Sequence, residues 1–169
     1  IGVIFKNKDL LLQAFVHRSY LNENKDFKLD HNERLEFLGD ACLELVVTEY
    51  LYLNYPNPEG ELTNWRSALV KGVTISKVSK ELGFEDHLML SKGESKSTGR
   101  ARELILANTF EAVLGAIYLD QGYKVADEFV KKNLIPYLKE IIEKGLYQDA
   151  KSKLQEIVQE KLSITPIYK

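Results

Sequence analysis

The sequence has little of what several protein classes require. Its single cysteine, Cys42, cannot form an internal disulfide, so a reducing, cytoplasmic location is expected. No apolar run approaches the ~18 residues of a membrane span, and no signal peptide is visible, so we expect no membrane association. There is no convincing strand pattern of period two and no glycine-rich nucleotide loop. These absences favour a mostly helical globular protein, and we assign the chain to the all-α class.

The chain also lacks an excess of positive charge. Its 23 basic and 25 acidic residues give a formal net charge of −2, whereas a protein that binds nucleic acid over its whole surface is usually basic. If this protein binds nucleic acid, its positive charge must be local, and its acids must bind metal or surround a cleavage site. With 44% hydrophobic residues in a chain of 169, there is enough material for one domain with a real core.

The stretch that organises the chain spans residues 32–40 and reads Asn-Glu-Arg-Leu-Glu-Phe-Leu-Gly-Asp. It lies in a segment, 31–55, that contains no proline. Apolar residues recur in this segment at intervals of three and four, which predicts a helix with one buried face. The residues of this face are Leu35, Leu38, Cys42, Leu45 and Val46.

Three acids in the same stretch share one face of the predicted helix. Glu33, Glu36 and Asp40 are separated by three and then four residues. Like charges repel in this arrangement, but a divalent cation would make it favourable; the alternative is a solvated acidic stripe. The neighbouring Gly39 costs a helix interior ~1 kcal/mol relative to Ala, and it allows another helix to approach closely.

A second key helix is predicted over 105–122, where Asn108 and Glu111 share a face. If these two residues converge with Glu36 and Asp40, every ligand atom is an oxygen. Oxygen ligands select Mg²⁺ or Mn²⁺ over zinc or copper. No well-placed Ser–His–Asp set is present, and Cys42 lies on the apolar face, so a covalent nucleophile is disfavoured.

The segment Leu90–Arg102 is polar and rich in glycine and serine, and only Glu94 opposes its positive charge. Such a loop suits contact with phosphates, although a simple solvated loop has the same composition. Its basic residues are Lys92, Lys96, Arg100 and Arg102.

Five further helices are predicted, and a polar loop over 22–30 follows the first of them. Pro136 is expected to kink or break the longest of them. His17 has no second His or Cys at ligand spacing, and we interpret it as a hydrogen-bonding residue at a helix end. The predicted ranges are 9–20, 62–72, 76–82, 126–143 and 149–161.

The nine-residue stretch resembles the signature of the ribonuclease III family. The resemblance continues in His-Arg-Ser-Tyr at 17–20, in Pro-Glu-Gly-Glu-Leu-Thr at 58–63 and in the helix over 105–122. One position departs from it, because the family usually has Asp where this chain has Asn108. Residues 1–147 resemble a near-complete nuclease domain. Residues 148–169 resemble the start of a double-stranded RNA-binding domain; they are too few for its core, so a loosely attached or disordered helix is expected.

The resemblance implies an endonuclease, dependent on Mg²⁺ with Mn²⁺ as a substitute, that makes staggered cuts in double-stranded RNA and leaves 5′-phosphate and 3′-hydroxyl ends. It implies cytoplasmic processing of ribosomal and messenger RNA, and a homodimer with Phe37 at its interface. Asp40 and Glu111 would be catalytic, and Glu36 and Asn108 would complete the metal site. The residues implied in RNA contact are Glu33, Glu59, Lys96, Arg100 and Arg102.

Asn108 leaves a second interpretation open. Asn keeps the size of Asp and one carbonyl oxygen but loses the negative charge. The chain would then be a catalytically silent, dimeric RNA-binding relative, or an engineered inactive form. A stand-alone small nuclease without an RNA-binding domain is disfavoured by the helix predicted over 149–161.

Overall fold

The computed structural model describes residues 1–147 and four single residues beyond them, at 158, 159, 161 and 164. This part of the chain forms eight α-helices and two short 3₁₀ helices, and its only β-pairing is an isolated parallel bridge between Val16 and Met89. The all-α prediction is confirmed. None of the helices described is long and apolar enough to cross a lipid bilayer. The helix predicted over 149–161 and the assignment of 148–169 lie almost entirely outside the described residues.

The helices are α1 (Lys8–Ala14), α2 (Arg18–Glu23), α3 (Glu33–Asn54), α4 (Glu59–Leu69), α5 (Gly72–Glu81), α6 (Gly99–Gln121), α7 (Tyr123–Asn133) and α8 (Pro136–Glu143). The 3₁₀ helices span Phe84–His87 and Glu94–Lys96.

The two longest helices, α3 and α6, cross at the centre of the molecule, and α6 is buried around most of its middle. Two glycines make the crossing close. A Cβ atom at Gly39 would lie 1.7 Å from the carbonyl oxygen of Glu111, and one at Gly115 would lie 2.2 Å from that of Leu35. Since any side chain would overlap the opposite backbone, only glycine permits this contact. The close approach predicted from Gly39 is therefore present.

Helix α3 carries more apolar residues than one buried face can hold. Leu35, Cys42 and Val46 are buried as predicted, and burial raises the pKa of the Cys42 thiol to about 11. The assignment of Leu45 to that face is wrong, because its side chain is 57% exposed. Leu45 instead belongs to a second apolar face, which we call the α3 stripe and define as Phe37, Leu45 and Tyr52.

The single helix predicted over 9–20 is wrong, because the chain leaves the helical path between α1 and α2. The backbone N–H of His17 donates to the carbonyl oxygen of Met89 (3.0 Å), and that of Met89 donates to Phe15 (2.9 Å). These bonds join segments far apart in sequence, which a local apolar period does not reveal. The polar loop predicted from residue 22 starts later, since α2 continues to Glu23.

The predicted break at Pro136 is confirmed, because α7 ends before it and α8 begins with it at the first helical position. Proline is tolerated there since the first N–H groups of a helix have no internal acceptor. Helices α4 and α5 each begin earlier than predicted, at Glu59 and Gly72, and α4 also ends earlier, at Leu69.

Candidate active site

The crossing of α3 and α6 assembles four polar side chains at one place. Glu36 and Asp40 come from adjacent turns of α3, on either side of Gly39 along the chain, while Asn108 and Glu111 come from adjacent turns of α6. Because Gly39 contacts the backbone of Glu111 itself, the two helices approach most closely at the acids. Glu36, Asp40, Asn108 and Glu111 lie close enough for their side chains to affect one another's pKa.

The acids at the crossing interact strongly and unfavourably. Burial raises the pKa of Glu111 to about 8, and the negative charges of Asp40 and Glu36 act in the same direction. Burial also raises the pKa of Glu36, with a further contribution from Glu33, whereas a hydrogen bond from Asn108 acts in the opposite direction. Near neutral pH, Glu111 therefore retains its proton in most molecules of the metal-free protein.

The chemistry of these donors fits a hard divalent cation. All four side chains offer oxygen atoms, as Mg²⁺ and Mn²⁺ prefer, and a positive charge would relieve the repulsion among the carboxylates. Across the described residues, no three His, Cys, Asp or Glu side chains are already arranged closely enough to hold a metal ion. The helices thus bring these oxygen donors near one another without forming a complete metal site among the described residues.

Glu33 lies at the start of α3 and has side-chain partners of its own. Its carboxylate is 3.5 Å from Arg18 Nη1 and 3.8 Å from His31 Nδ1. It nevertheless raises the pKa of Glu36, as its position on the same helix face predicts. Glu33 is therefore an exposed neighbour of the four-residue set and has a separate set of contacts.

Glu59 is not brought into contact with the four residues. It is the first residue of α4, and its carboxylate accepts a hydrogen bond from the Thr63 hydroxyl (2.8 Å). It lines a cavity of about 660 Å³ between α3 and α4, together with Tyr52, Tyr55 and Arg66.

The prediction of a loop over 90–102 is wrong at its end, because α6 begins at Gly99 and not at 105, so Arg100 and Arg102 lie in its first turn. The cations of this basic loop and helix start have different surroundings. Arg102 is turned inward: its Nη2 donates to the Ser95 carbonyl (2.6 Å), its Nε donates to Ser97 (3.2 Å), and only 13% of its side chain is exposed. Lys96 and Arg100 are exposed, and neither forms an ion pair within the described part of the chain. Lys92 is exposed as well. Three of the four cations are thus placed to meet a polyanion, while Arg102 shapes the loop.

Sequence reasoning missed the residues that join this loop to the rest of the site. The Ser91 backbone N–H donates to Ser19 Oγ (3.1 Å), and the buried Asn32 side chain donates to the Ala14 carbonyl (3.1 Å). Both Ser19 and Asn32 lie in family-like motifs, but no spacing rule pointed to these partners. His17 caps α2 by accepting the Ser19 backbone N–H at Nδ1 (3.2 Å), so its interpretation as a hydrogen-bonding helix-end residue is confirmed.

Comparison with known proteins gives a consistent result. A Ribonuclease-III-like family model matches residues 7–138. Ribonuclease 3 of Streptococcus thermophilus is 48% identical over 162 residues, which are 94% of this chain and 69% of that protein. Ribonuclease 3 of Enterococcus faecalis is 45% identical over 172 residues, 99% of this chain and 73% of that one.

A solved structure of the Ribonuclease III nuclease domain from Campylobacter jejuni has a similar fold. The TM-score is 0.70 at 37% identity, and the match covers 78% of this chain and 88% of that one. That structure is described as showing flexibility in a region involved in dimer formation. Similarity in sequence and similarity in fold therefore extend over most of the described residues.

Proposed function

The chain belongs to the ribonuclease III family, and from this membership we propose that it is an endoribonuclease that hydrolyses the phosphodiester bonds of double-stranded RNA. The observation that carries the proposal is the α3–α6 crossing, where glycine-to-backbone contact gathers three carboxylates and one amide into an oxygen-rich site. Residues 1–147 form the nuclease domain in this proposal, and residues 148–169 begin a double-stranded RNA-binding domain.

We propose Mg²⁺ as the cofactor, with Mn²⁺ as a substitute, and Glu36, Asp40, Asn108 and Glu111 as the residues that hold it. When bound, such a cation supplies Lewis acidity toward a phosphate and toward water. The protein's part is to hold the partly buried Glu36 and Glu111 beside the exposed Asp40, where water screens the charges of the two partly buried acids less than in bulk solvent. Glu111 must release its proton before it can act as an anionic ligand, so cation binding and proton release are coupled.

Two of the acids are also assigned to the hydrolysis step itself. With no covalent nucleophile in place, Asp40 and Glu111 are assigned to orient the attack of water on phosphorus. We propose that the P–O3′ bond breaks as the new P–O bond to water forms, and that the 3′ oxygen leaves and takes up a proton. The products then carry 5′-phosphate and 3′-hydroxyl ends. Processing of ribosomal and messenger RNA in the cytoplasm belongs to the same proposal.

The RNA substrate is bound through local positive charge, since the net charge of the chain is −2. Lys96 and Arg100 are exposed cations that we assign to phosphate contact. Arg102 holds the backbone on both sides of Lys96 through its hydrogen bonds to Ser95 and Ser97. RNA duplexes are read mainly through shape, phosphates and 2′-hydroxyl groups, so we expect low sequence specificity. Glu33 and Glu59 remain proposed contacts near the edges of the RNA surface.

A homodimer through the α3 stripe is the proposed assembly. Phe37, Leu45 and Tyr52 are 80%, 57% and 78% exposed, and together they run along α3. Contiguous exposed apolar surface marks an interaction site, and a two-fold interface uses the same surface twice. If two α3 helices pair antiparallel, Phe37 of one copy lies near the Tyr52 and Tyr55 cavity of the other.

The decisive experiment measures cleavage of one RNA duplex across a series of Mg²⁺ concentrations. Glu111→Gln should reduce cleavage by several orders of magnitude and leave duplex binding in EDTA unchanged, because it removes a ligand charge but no phosphate contact. Glu128→Gln, which changes an exposed acid on α7, is the matched control. A Glu111→Gln protein that cuts at the wild-type rate would remove Glu111 from the site.

The second candidate, a silent RNA-binding relative, rests on Asn108. In this structure the Asn108 side chain lowers the pKa of Glu36, whereas an ionised Asp at this position would raise it. Duplex binding without cleavage at any Mg²⁺ concentration, with activity restored by Asn108→Asp, would establish that candidate.

A further inference from the structure

The segment between α1 and α2, residues 15–17, lies against two parts of the proposed active site at once. On one side, the Asn32 backbone N–H donates to the Val16 carbonyl (2.9 Å) at the start of α3. On the other side, Val16 pairs with Met89, which leads directly into the basic loop. The loop and the acidic helix are therefore fixed to a common piece of backbone.

Ser19, in α2 two residues beyond this segment, contacts the basic loop through its side chain. Its Oγ accepts the backbone N–H of Ser91 (3.1 Å) and lies 2.8 Å from His17 Nδ1. Because His17 Nδ1 also accepts the Ser19 backbone N–H, Nδ1 carries no proton in this arrangement. The Ser19 hydroxyl proton then points to His17, which leaves an oxygen lone pair for Ser91.

The loop is anchored at both ends, with its free cations between the anchors. Near Ser19, the Lys92 backbone N–H donates to the Glu23 carboxylate (3.1 Å), and Ser91 Oγ accepts the backbone N–H of Glu94 (3.1 Å). At the far end, Arg102 binds the carbonyl groups of the loop. Lys96 and Arg100 lie between these two anchors and are exposed.

We propose that His17 and Ser19 are positioning residues that hold the basic loop so that Lys96 and Arg100 meet the phosphates of an RNA duplex. The inference rests on the proposed function, because it requires the loop to contact RNA. Neither residue touches the RNA itself in this account; each acts through the backbone of Ser91.

The arrangement depends on the protonation of His17. A proton on Nδ1 removes the acceptor of the Ser19 backbone N–H and turns Nδ1 into a donor to Ser19 Oγ. The cap of α2 is then lost and the Ser19 hydroxyl must reorient, so the anchor loosens. Burial lowers the pKa of His17, and this outweighs the facing Glu94 and Glu33, which raise it; Arg18 and His31 also lower it. The anchor is therefore intact at neutral pH and weakens as the pH falls below histidine's ordinary pKa of about 6.5.

Binding of a plain RNA duplex in EDTA, measured at several salt concentrations and from pH 8 to pH 5, tests the proposal. Ser19→Ala should weaken binding about three- to tenfold at pH 7.5, the effect of one lost hydrogen bond, and flatten the salt dependence. Ser67→Ala, an exposed serine on α4, is the matched control and should bind like the wild type.

His17→Asn separates positioning from general damage, because asparagine caps a helix but does not titrate. It should bind like the wild type at pH 7.5 and keep its affinity at pH 5, where the wild type loses part of its own. Should Ser19→Ala fail to fold, as judged by circular dichroism, this pH comparison alone decides. Equal pH profiles, or a wild-type affinity that rises relative to His17→Asn on acidification, would overturn the positioning role.

A double variant, Lys96→Ala with Arg100→Ala, distinguishes failure of this inference from failure of the proposed function. If the salt dependence of its binding equals that of the wild type, the loop does not contact RNA and both proposals for the loop are wrong. If the double variant weakens binding while Ser19→Ala behaves like Ser67→Ala, only the positioning role is wrong.

Discussion

Glu111 is a carboxylic acid held where ionisation is costly. Its pKa is about 8 in the folded protein against an ordinary value of 4.5, first because of burial and then because of Asp40 and Glu36. Between these two values the folded state binds more protons than the unfolded state. The free energy of unfolding therefore falls as the pH rises from about 4.5 to about 8 and is flat above that, with respect to this residue.

Glu111→Gln should abolish this titration. In EDTA, we expect the variant to gain stability relative to the wild type on the order of 1–3 kcal/mol more at pH 8.5 than at pH 4.5. Urea unfolding at the two pH values measures the difference, and Glu128→Gln is the control. If the difference in free energy of unfolding between variant and wild type is the same at both pH values, the pKa of Glu111 is the same in the folded and unfolded protein.

Asn108 determines how much negative charge the metal-free site carries. Asn108→Asp adds a fourth acid beside Glu36, so the site should attract a divalent cation more strongly and repel RNA slightly. We expect a lower Mg²⁺ concentration for half-maximal cleavage and an unchanged or slightly weaker duplex affinity in EDTA. Cleavage assays across a Mg²⁺ series measure this, and identical curves for the two proteins would show that position 108 does not sense the metal.

At the scale of elements, the contact between α3 and α6 connects stability to the site. The glycines that let the helices touch are next to Asp40 and four residues beyond Glu111. Helix propensity alone would place other residues there, since glycine costs ~1 kcal/mol relative to alanine. Glycine is nevertheless needed at both positions, because the contact between the helices sets the distance between the acids of α3 and α6.

Gly39→Ala should therefore destabilise the fold by about 3 kcal/mol or more, because its Cβ would overlap backbone atoms of α6 rather than a movable side chain. Gly60→Ala is the matched control: it lies in α4 with no atom within 4 Å of the added methyl group, and it should be neutral or slightly stabilising. Thermal unfolding and duplex cleavage measure both variants. A Gly39→Ala protein with wild-type stability would mean that the helices can separate without cost.

At the scale of the whole molecule, charge and apolar surface are divided between different regions. The chain is slightly acidic, yet Lys96 and Arg100 give it a local positive surface. The apolar α3 stripe is the proposed route by which two such surfaces, and two acidic sites, would be combined. One site for each RNA strand would produce the staggered cuts that the family resemblance implies.

Phe37→Ala should weaken the proposed dimer by about 2–4 kcal/mol, the usual effect of truncating a large aromatic residue at the centre of an interface. Val73→Ala is the control, since Val73 is 61% exposed on α5. Sedimentation at micromolar concentration measures both. A wild-type protein that is only monomeric under these conditions, or a Phe37→Ala protein that pairs as tightly as the wild type, would rule out this interface.

Several features of this protein could be predicted from local signals in the amino-acid sequence. Apolar spacing predicted α3 and α6, Pro136 predicted the break between α7 and α8, and Cys42 was assigned to the core from its place on the apolar face. The same rule, that residues three or four apart share a face of a helix, grouped Glu36 with Asp40 on α3 and Asn108 with Glu111 on α6. Gly39 indicated a close approach before its partner was known.

The tertiary structure decided what depends on contacts between distant segments. It ended α1 at Ala14, because the backbone after it pairs with Met89, and it placed Leu45 on the outer face of α3. It turned Arg102 into the loop and left Arg100 exposed, although the two look alike in sequence. The physical reason is that a helical period records which residues share a face, whereas burial and hydrogen bonding depend on which other segment covers that face.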